Sequence, residues 1–216
     1  MDVQQEKQAA ARAAAELVED GMVVGLGSGT TVDQLLPALA ARGLAITCVA
    51  ASPTTEHGAR QLGLVVVDFA TIELLDIAID GADQVAPDGW LVKGGGAAHT
   101  REKIVAAAAR QFVVIADSTK TVDALHAPIP VELLEFGLAA TLAHLHPTTL
   151  RDGPPSPDGG VIADYDGPVS DPAALAALLA ATPGVVGHGL FPADMVSTVL
   201  IGRGASVERR DISHGA

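Results

Sequence analysis

Short, uninterrupted apolar runs recur through the first half of the chain: MVVGLG from Met22, AITCVA from Ala45, LVVVDF from Leu64, LLDIAID from Leu74 and QFVVIAD from Gln111. Between them lie segments of helical composition. These are an alanine-rich stretch from Gln4 to Asp20 with Gly21 as its C-terminal cap, then TVDQLLPALAARG ending at Gly43, TTEHGARQLG, and TREKIVAAAAR. Strands that do not alternate apolar with polar residues are buried on both faces. Alternation of such strands with helices predicts a parallel sheet covered on both sides. WLVK, from Trp90, reads as a further short extended piece.

The pattern changes near HAPIPVELL, and Pro147 to Gly160 is rich in proline, glycine and aspartate. Beyond it, DPAALAALLAATPG predicts one helix, and GLF and MVSTVLIG predict strands. Residues 127–199 are expected to form a smaller α+β domain. Residues 1–126 together with 200–216 form the larger α/β domain.

Composition adds limits. The 216 residues are 49% hydrophobic and 18% charged but only 3% aromatic, so alanine, valine and leucine must fill the core. The N-terminus is polar and no apolar run approaches the length of a membrane span, which predicts a cytoplasmic protein with no membrane partner. The single cysteine, Cys48, lies in an apolar run and reads as a buried, inert thiol. A formal net charge of -13 argues against nucleic acid as a partner. A small anionic substrate is compatible with that charge only where the few cations converge. Lysine occurs only at positions 7, 93, 103 and 120.

Three segments carry candidate chemistry. VGLGSGTT, Val24 to Thr31, joins a strand to a helix, where glycines and free amides favour an anion. Thr30 stands where the dinucleotide fingerprint needs its third glycine, and no Gly-Lys pair exists for a Walker A loop. What remains is a loop with the hydroxyls of Ser28, Thr30 and Thr31, suited to a phosphate monoester; a tight turn with a hydroxyl cap is the plainer alternative. DGAD, Asp80 to Asp83, follows a strand, so both carboxylates emerge where open α/β sheets bind ligands. An Asx-type turn would account for one of them. KGGGAAHTREK places Lys93 at a strand end, then three glycines, then Glu102 in the first turn of a helix. Beside Lys93, Asp80 and Asp83, Glu102 is a candidate general base, with His99 as its rival. His144 and His146 alternate along the chain without a third ligand nearby and read as surface residues.

Taken with ADSTK, PIPVE and PGVVGHGLF, these motifs resemble the type A ribose-5-phosphate isomerase family in order and spacing over nearly the whole chain. The resemblance implies a Rossmann-like parallel-sheet domain with a smaller ferredoxin-like domain, assembled as a homodimer or a tetramer. It implies interconversion of ribose 5-phosphate and ribulose 5-phosphate in the pentose phosphate pathway, without metal or organic cofactor. By matching motif, Glu102 is the proton acceptor, with Lys93, Asp80 and Asp83 as the other catalytic groups. Lys7, Ser28, Gly29, Thr30, Thr31, Asp80, Gly81, Ala82, Asp83, Lys93, Gly94, Gly95, Gly96 and Lys120 contact the sugar phosphate. In this reading Asp80 opens the sugar ring and Asp83 orients Lys93 or a hydroxyl. The chain departs from the family pattern at Gln84, at Ala50-Ala51-Ser52 and through the proline-rich segment from Leu138 to Gly160. A coenzyme A transferase and a non-catalytic sugar-phosphate sensor are the alternatives. The first would need a catalytic glutamate in its own motif, and the second a DNA-binding domain.

Overall fold

The structure is a computed structural model that describes residues 2–212. The chain opens with helix α1 (Val3–Ala15), strand β1 (Val23–Leu26), α2 (Val32–Ala41), β2 (Thr47–Ala50), α3 (Pro53–Gln61), β3 (Val65–Val66) and β4 (Ile77–Gly81). Two short strands, β5 (Gln84–Val85) and β6 (Leu91–Val92), precede α4 (His99–Ala107) and β7 (Phe112–Asp117). Then come β8 (Ile129–Leu133), α5 (Leu138–His144), β9 (Thr148–Leu150), β10 (Val161–Tyr165), α6 (Pro172–Ala181), β11 (Val185–His188) and β12 (Leu190–Phe191). β13 (Thr198–Arg203) and β14 (Ser206–Asp211) end the described chain.

The large sheet has the order β14-β13-β7-β4-β1-β2-β3, parallel except for the antiparallel edge pair β13–β14. Its faces are covered as the apolar runs predict. Val24, Leu26, Ile77 and Ile79 pack under α1 and α2, and Ala78, Val114, Val199 and Ile201 pack on the other side with Val105 of α4. Alanines 10, 11, 14 and 15 of α1 are fully or almost fully buried, so small side chains let this helix approach closely. A buried leucine or isoleucine contributes about 1.5–3 kcal/mol relative to exposure, and this core holds many of them.

β8, α5, β9, β10, α6 and β11 form a βαββαβ unit whose sheet runs β11-β8-β10-β9, fully antiparallel; this is the ferredoxin-like pattern. α5 and α6 cover one face through Leu142, Leu175 and Leu179. A third, small sheet, β12-β6-β5, ties the two larger ones together.

Three local outcomes differ from the sequence pattern. Helix α1 stops at Ala15, not Asp20, because the Arg42 guanidinium donates to the carbonyls of Ala15 and Val18 and closes the helix end; Gly21, at φ 84°, serves the turn that follows. Thr31 precedes α2 without a side-chain capping bond, so the hydroxyls of the VGLGSGTT loop are not spent on a helix cap. β14 went unpredicted because SVERRD is a polar edge strand, held by its neighbour's backbone and by cross-strand pairs such as Thr198 Oγ1 to Asp211.

Cys48 is fully buried in the first face of the sheet, and burial pushes its thiol up to about 11, as an inert thiol requires. Among the described residues, no helix is long and apolar enough to cross a membrane.

Candidate active site

In the large sheet the chain runs from β1 outward through β2 and β3 on one side, and through β4, β7 and β13 on the other. The switch point therefore falls between β1 and β4, where parallel sheets bind ligands beyond their C-terminal strand ends. Ser28 follows β1, Asp80 lies near the end of β4, and Lys120 closes the short 3-10 turn after β7. The cleft above them is lined by Ser28, Gly29, Thr30, Thr31, Gly81, Ala82, Asp83, Lys93, Gly94, Gly95, Gly96, Glu102 and Lys120. Apart from the rival base His99, every sequence-derived candidate is in this wall or bonded to it. Asp80 lies beneath it against Lys93, and Lys7 reaches in from α1 to donate to Thr30 Oγ1 at 2.8 Å.

At the floor, the Lys93 ammonium is 2.8 Å from Asp80 Oδ2, 3.2 Å from Glu102 Oε2 and 2.5 Å from the Gly81 carbonyl. All three side chains are buried. Asp80 Oδ1 accepts from the amides of Ser28 and Gly81, at 3.0 and 2.7 Å. A Cβ on Gly27 would overlap this carboxylate, so that position requires glycine. Burial first, then the Glu102 charge, push Asp80 up to about 7 against the pull of Lys93. Burial works against the Lys93 charge, but Asp80 and Glu102 outweigh it and hold the ammonium above its ordinary value. The group is thus a firm cation between two carboxylates, one of which can exchange a proton near neutrality.

The hydroxyl of Ser28 donates to Glu102 Oε1 at 2.5 Å. Ser28 therefore faces the carboxylates, while Thr30 turns toward Lys7; Lys120 lines the same cleft. Spacing within one loop could not separate those two directions. Asp83 is exposed, and its Oδ2 accepts from the Gly95 amide at 2.8 Å, which fixes the glycine loop rather than Lys93.

His99 is fully buried behind the loop and absent from the cleft wall. A Cβ on Gly94, whose φ is 109°, would press on the His99 ring, so the two share one site. Burial, then the Lys103 charge, push His99 down to about 4. It is neutral in the fold, and an unfolded chain takes up its proton below about pH 6.5. This contribution to stability is present above pH 6.5 and is lost as the pH falls from there toward 4, amounting to about 2 kcal/mol at pH 5. His99→Leu is expected to flatten the fall of melting temperature between pH 6.5 and 4.5 while retaining most activity. A slope equal to the wild type's would remove His99 as the cause, and loss of turnover would restore it as a rival base.

Lys103, the remaining lysine, does not enter the cleft. Its ammonium donates to the carbonyls of His188 and Leu190 at 2.6 and 2.8 Å, and burial pushes it down to about 7. It sits 4.8 Å from the centroid of Phe191, whose ring lies 5.5 Å from the Lys93 ammonium. Gln84 is also structural: its amide exchanges two hydrogen bonds with the backbone of His126, at 2.8 and 2.9 Å. His144 and His146 are exposed, and among the described residues no cluster of three metal-ligating side chains occurs.

A Rossmann-like sheet with a hydroxyl-lined anion loop, and a buried lysine between two carboxylates, defines a protein built for proton transfer on a small anionic molecule. The family model described as ribose 5-phosphate isomerase A (phosphoriboisomerase A) matches residues 47–206. A ribose-5-phosphate isomerase A of Halobacterium salinarum is 42% identical over 96% of each chain. The crystal structure of ribose 5 phosphate isomerase A from Neisseria gonorrhoeae superposes with a TM-score of 0.92 at 30% identity, covering 96% of both chains. A D-ribose-5-phosphate isomerase in complex with phospho-erythronic acid gives 0.92 at 33% identity, over 98% of this chain and all of that one. The chain belongs to the ribose 5-phosphate isomerase A family. A second model, the DeoR C-terminal sensor domain, matches only residues 2–62 and stops short of Asp80, Lys93 and Glu102.

Proposed function

We propose that this chain interconverts D-ribose 5-phosphate and D-ribulose 5-phosphate by proton transfer through an enediolate. The observation that carries this reading is the Lys93 ammonium held between Asp80 and Glu102 in a cleft whose wall also carries Lys120 and Thr30, the latter bonded to Lys7. Glu102 removes the proton from C2 of the open-chain aldose, and the electron pair passes through the C1–C2 bond to the carbonyl oxygen. Return of that proton to C1, with the C2 hydroxyl proton passing to O1 as the carbonyl forms at C2, completes the ketose. Charge developing on the enediolate oxygen is met by Lys93, already desolvated and oriented, which is where such a cation acts most strongly. Asp80, able to exchange a proton near neutrality, serves ring opening of the closed furanose. Ser28 orients Glu102, and Asp83 holds the loop from Gly94 to Gly96. The relative bound to phospho-erythronic acid, a four-carbon sugar-acid phosphate, supports a binding site with an anion at each end.

The direct test is to supply ribose 5-phosphate in the presence of EDTA and follow ketose formation. Sustained turnover is expected; absence of ketose, or a rate restored only by a divalent ion, would defeat the reading.

Lys120 and Lys7 act on binding, because the phosphate does not react. Losing one charge-assisted contact costs roughly 1.5–3 kcal/mol, or about tenfold to a hundredfold in KM. Lys120→Ala is therefore expected to discriminate poorly between ribose 5-phosphate and free ribose in kcat/KM, where the wild type prefers the phosphate strongly. An unchanged preference would remove Lys120 from the phosphate site.

The same reading divides the chain into a catalytic unit of residues 1–126 with the C-terminal segment, which starts at Thr198 of β13 rather than at residue 200, and a smaller unit between them, acting in the cytoplasm as a homodimer. Phe136, 92% exposed beside half-exposed Leu134, supplies apolar surface that supports self-association. Light scattering of the purified protein would contradict the dimer by returning the mass of one chain.

A further inference from the structure

Arg151 lies just beyond β9, on the ferredoxin-like sheet and within the segment where the chain departs from the family pattern. Its Nε and Nη2 grip the Asp164 carboxylate of β10 at 3.0 and 2.5 Å. The third nitrogen, Nη1, is left free to reach out of the small sheet. It donates to the carbonyls of Gly94 and Gly95, at 2.9 and 3.2 Å, in the glycine loop that walls the cleft.

That loop needs holding. Gly94, at φ 109°, uses the freedom of glycine, but Ala97, which is not glycine, has φ 63°, a conformation that persists only where surrounding structure fixes it. The Gly95 amide is anchored by Asp83 on one side, and the Gly94 and Gly95 carbonyls by Arg151. In a trans peptide the N–H points opposite to the C=O. Turning the Gly95 carbonyl toward Arg151 therefore directs the Gly96 amide away from it, and Gly96 lines the cleft.

We propose that Arg151, oriented by Asp164, is a positioning residue that sets the Gly94–Gly96 loop so that its amide meets the oxygens at the reacting end of the substrate. The small sheet then contributes to turnover without placing a side chain in the cleft. An ordinary surface ion pair with Asp164 would contribute little and would leave chemistry untouched; the two bonds to the loop are what predict a catalytic effect. The inference rests on the isomerase reading above.

The test compares Arg151→Gln, Arg151→Lys and Asp164→Asn with the wild type. Arg151→Gln is expected to lower kcat about tenfold to a hundredfold. Its inhibition by phospho-erythronic acid, which carries a carboxylate as well as a phosphate, should weaken by about tenfold. Inhibition by inorganic phosphate, which reports the phosphate site and an intact fold, should hold within about twofold of wild type. Arg151→Lys keeps the charge but not the three-way fork, and should show most of the same loss. Asp164→Asn should show a smaller loss of the same kind. A kcat within about twofold of wild type in Arg151→Gln, or equal weakening toward both inhibitors, would overturn the proposal. A wild type without isomerase activity, or indifferent to phospho-erythronic acid, would instead overturn the isomerase reading beneath it.

Discussion

Glu102→Gln is expected to reduce kcat by about 10²–10⁴-fold while the protein folds and binds substrate. The substitution preserves shape and can keep a hydrogen bond with Ser28, but the amide cannot take a proton from carbon. No second base stands in at C2: His99 is buried behind the loop, Asp83 is engaged with the Gly95 amide, and Asp80 lies beneath the cleft wall against Lys93. Binding of phospho-erythronic acid, measured by calorimetry, should survive within about an order of magnitude, because Lys7, Lys120 and the loop amides remain. A variant retaining more than about a tenth of the wild-type rate would show that Glu102 is not the base.

Lys93→Met carries the second large effect, and for two reasons. The variant loses the cation at the developing enediolate, worth roughly 10²–10³ in kcat by comparison with other oxyanion contacts. It also leaves Asp80 and Glu102 facing each other without neutralisation in a buried site. Removing one partner from such a group typically costs about 3–5 kcal/mol unless a proton replaces it. The lowered melting temperature of Lys93→Met should therefore recover on acidification, as one of the two carboxylates takes up the missing charge. Wild-type turnover in this variant would contradict the role given to Lys93, and a melting deficit independent of pH would contradict the buried carboxylate pair.

Lys93 and Glu102 stood out in the sequence only in combination. Each follows a strand end or a glycine turn, and a glutamate in a first helical turn is ordinary until it is set beside Lys93, Asp80 and Asp83. KGGGAAHTREK marks a strand end, a loop and a helix start, and the fold brings those three features to Asp80 and Ser28. The parallel sheet was legible because strands buried on both faces need no alternation, so their runs stand out. Direction was not legible. Ser28 and Thr30 are two residues apart, yet one hydroxyl faces Glu102 and the other Lys7, which depends on the turn at Gly29, φ 87°. Gln84 replaces an acid usual in the family pattern and instead braces His126 through its amide. Arg151 gave no signal at all, since a charged residue in a proline- and glycine-rich stretch looks like solvated surface. Its partners Gly94 and Gly95 lie 57 and 56 residues earlier. WLVK and GLF carry β6 and β12 as their apolar composition predicts, whereas the two-residue β5 was hard to foresee because pairing across the chain, rather than its own composition, creates it.

Proton transfer through an enediolate is most directly tested by holding the wild-type enzyme with ribose 5-phosphate at equilibrium in deuterium oxide and reading carbon-bound deuterium by NMR. A proton parked on Glu102, hydrogen-bonded to Ser28, exchanges with solvent during some turnovers, so deuterium should accumulate at C1 of the ketose and C2 of the aldose. A pentose phosphate pool that has interconverted many times and still carries only protium at both carbons would contradict the mechanism and require direct hydride migration instead.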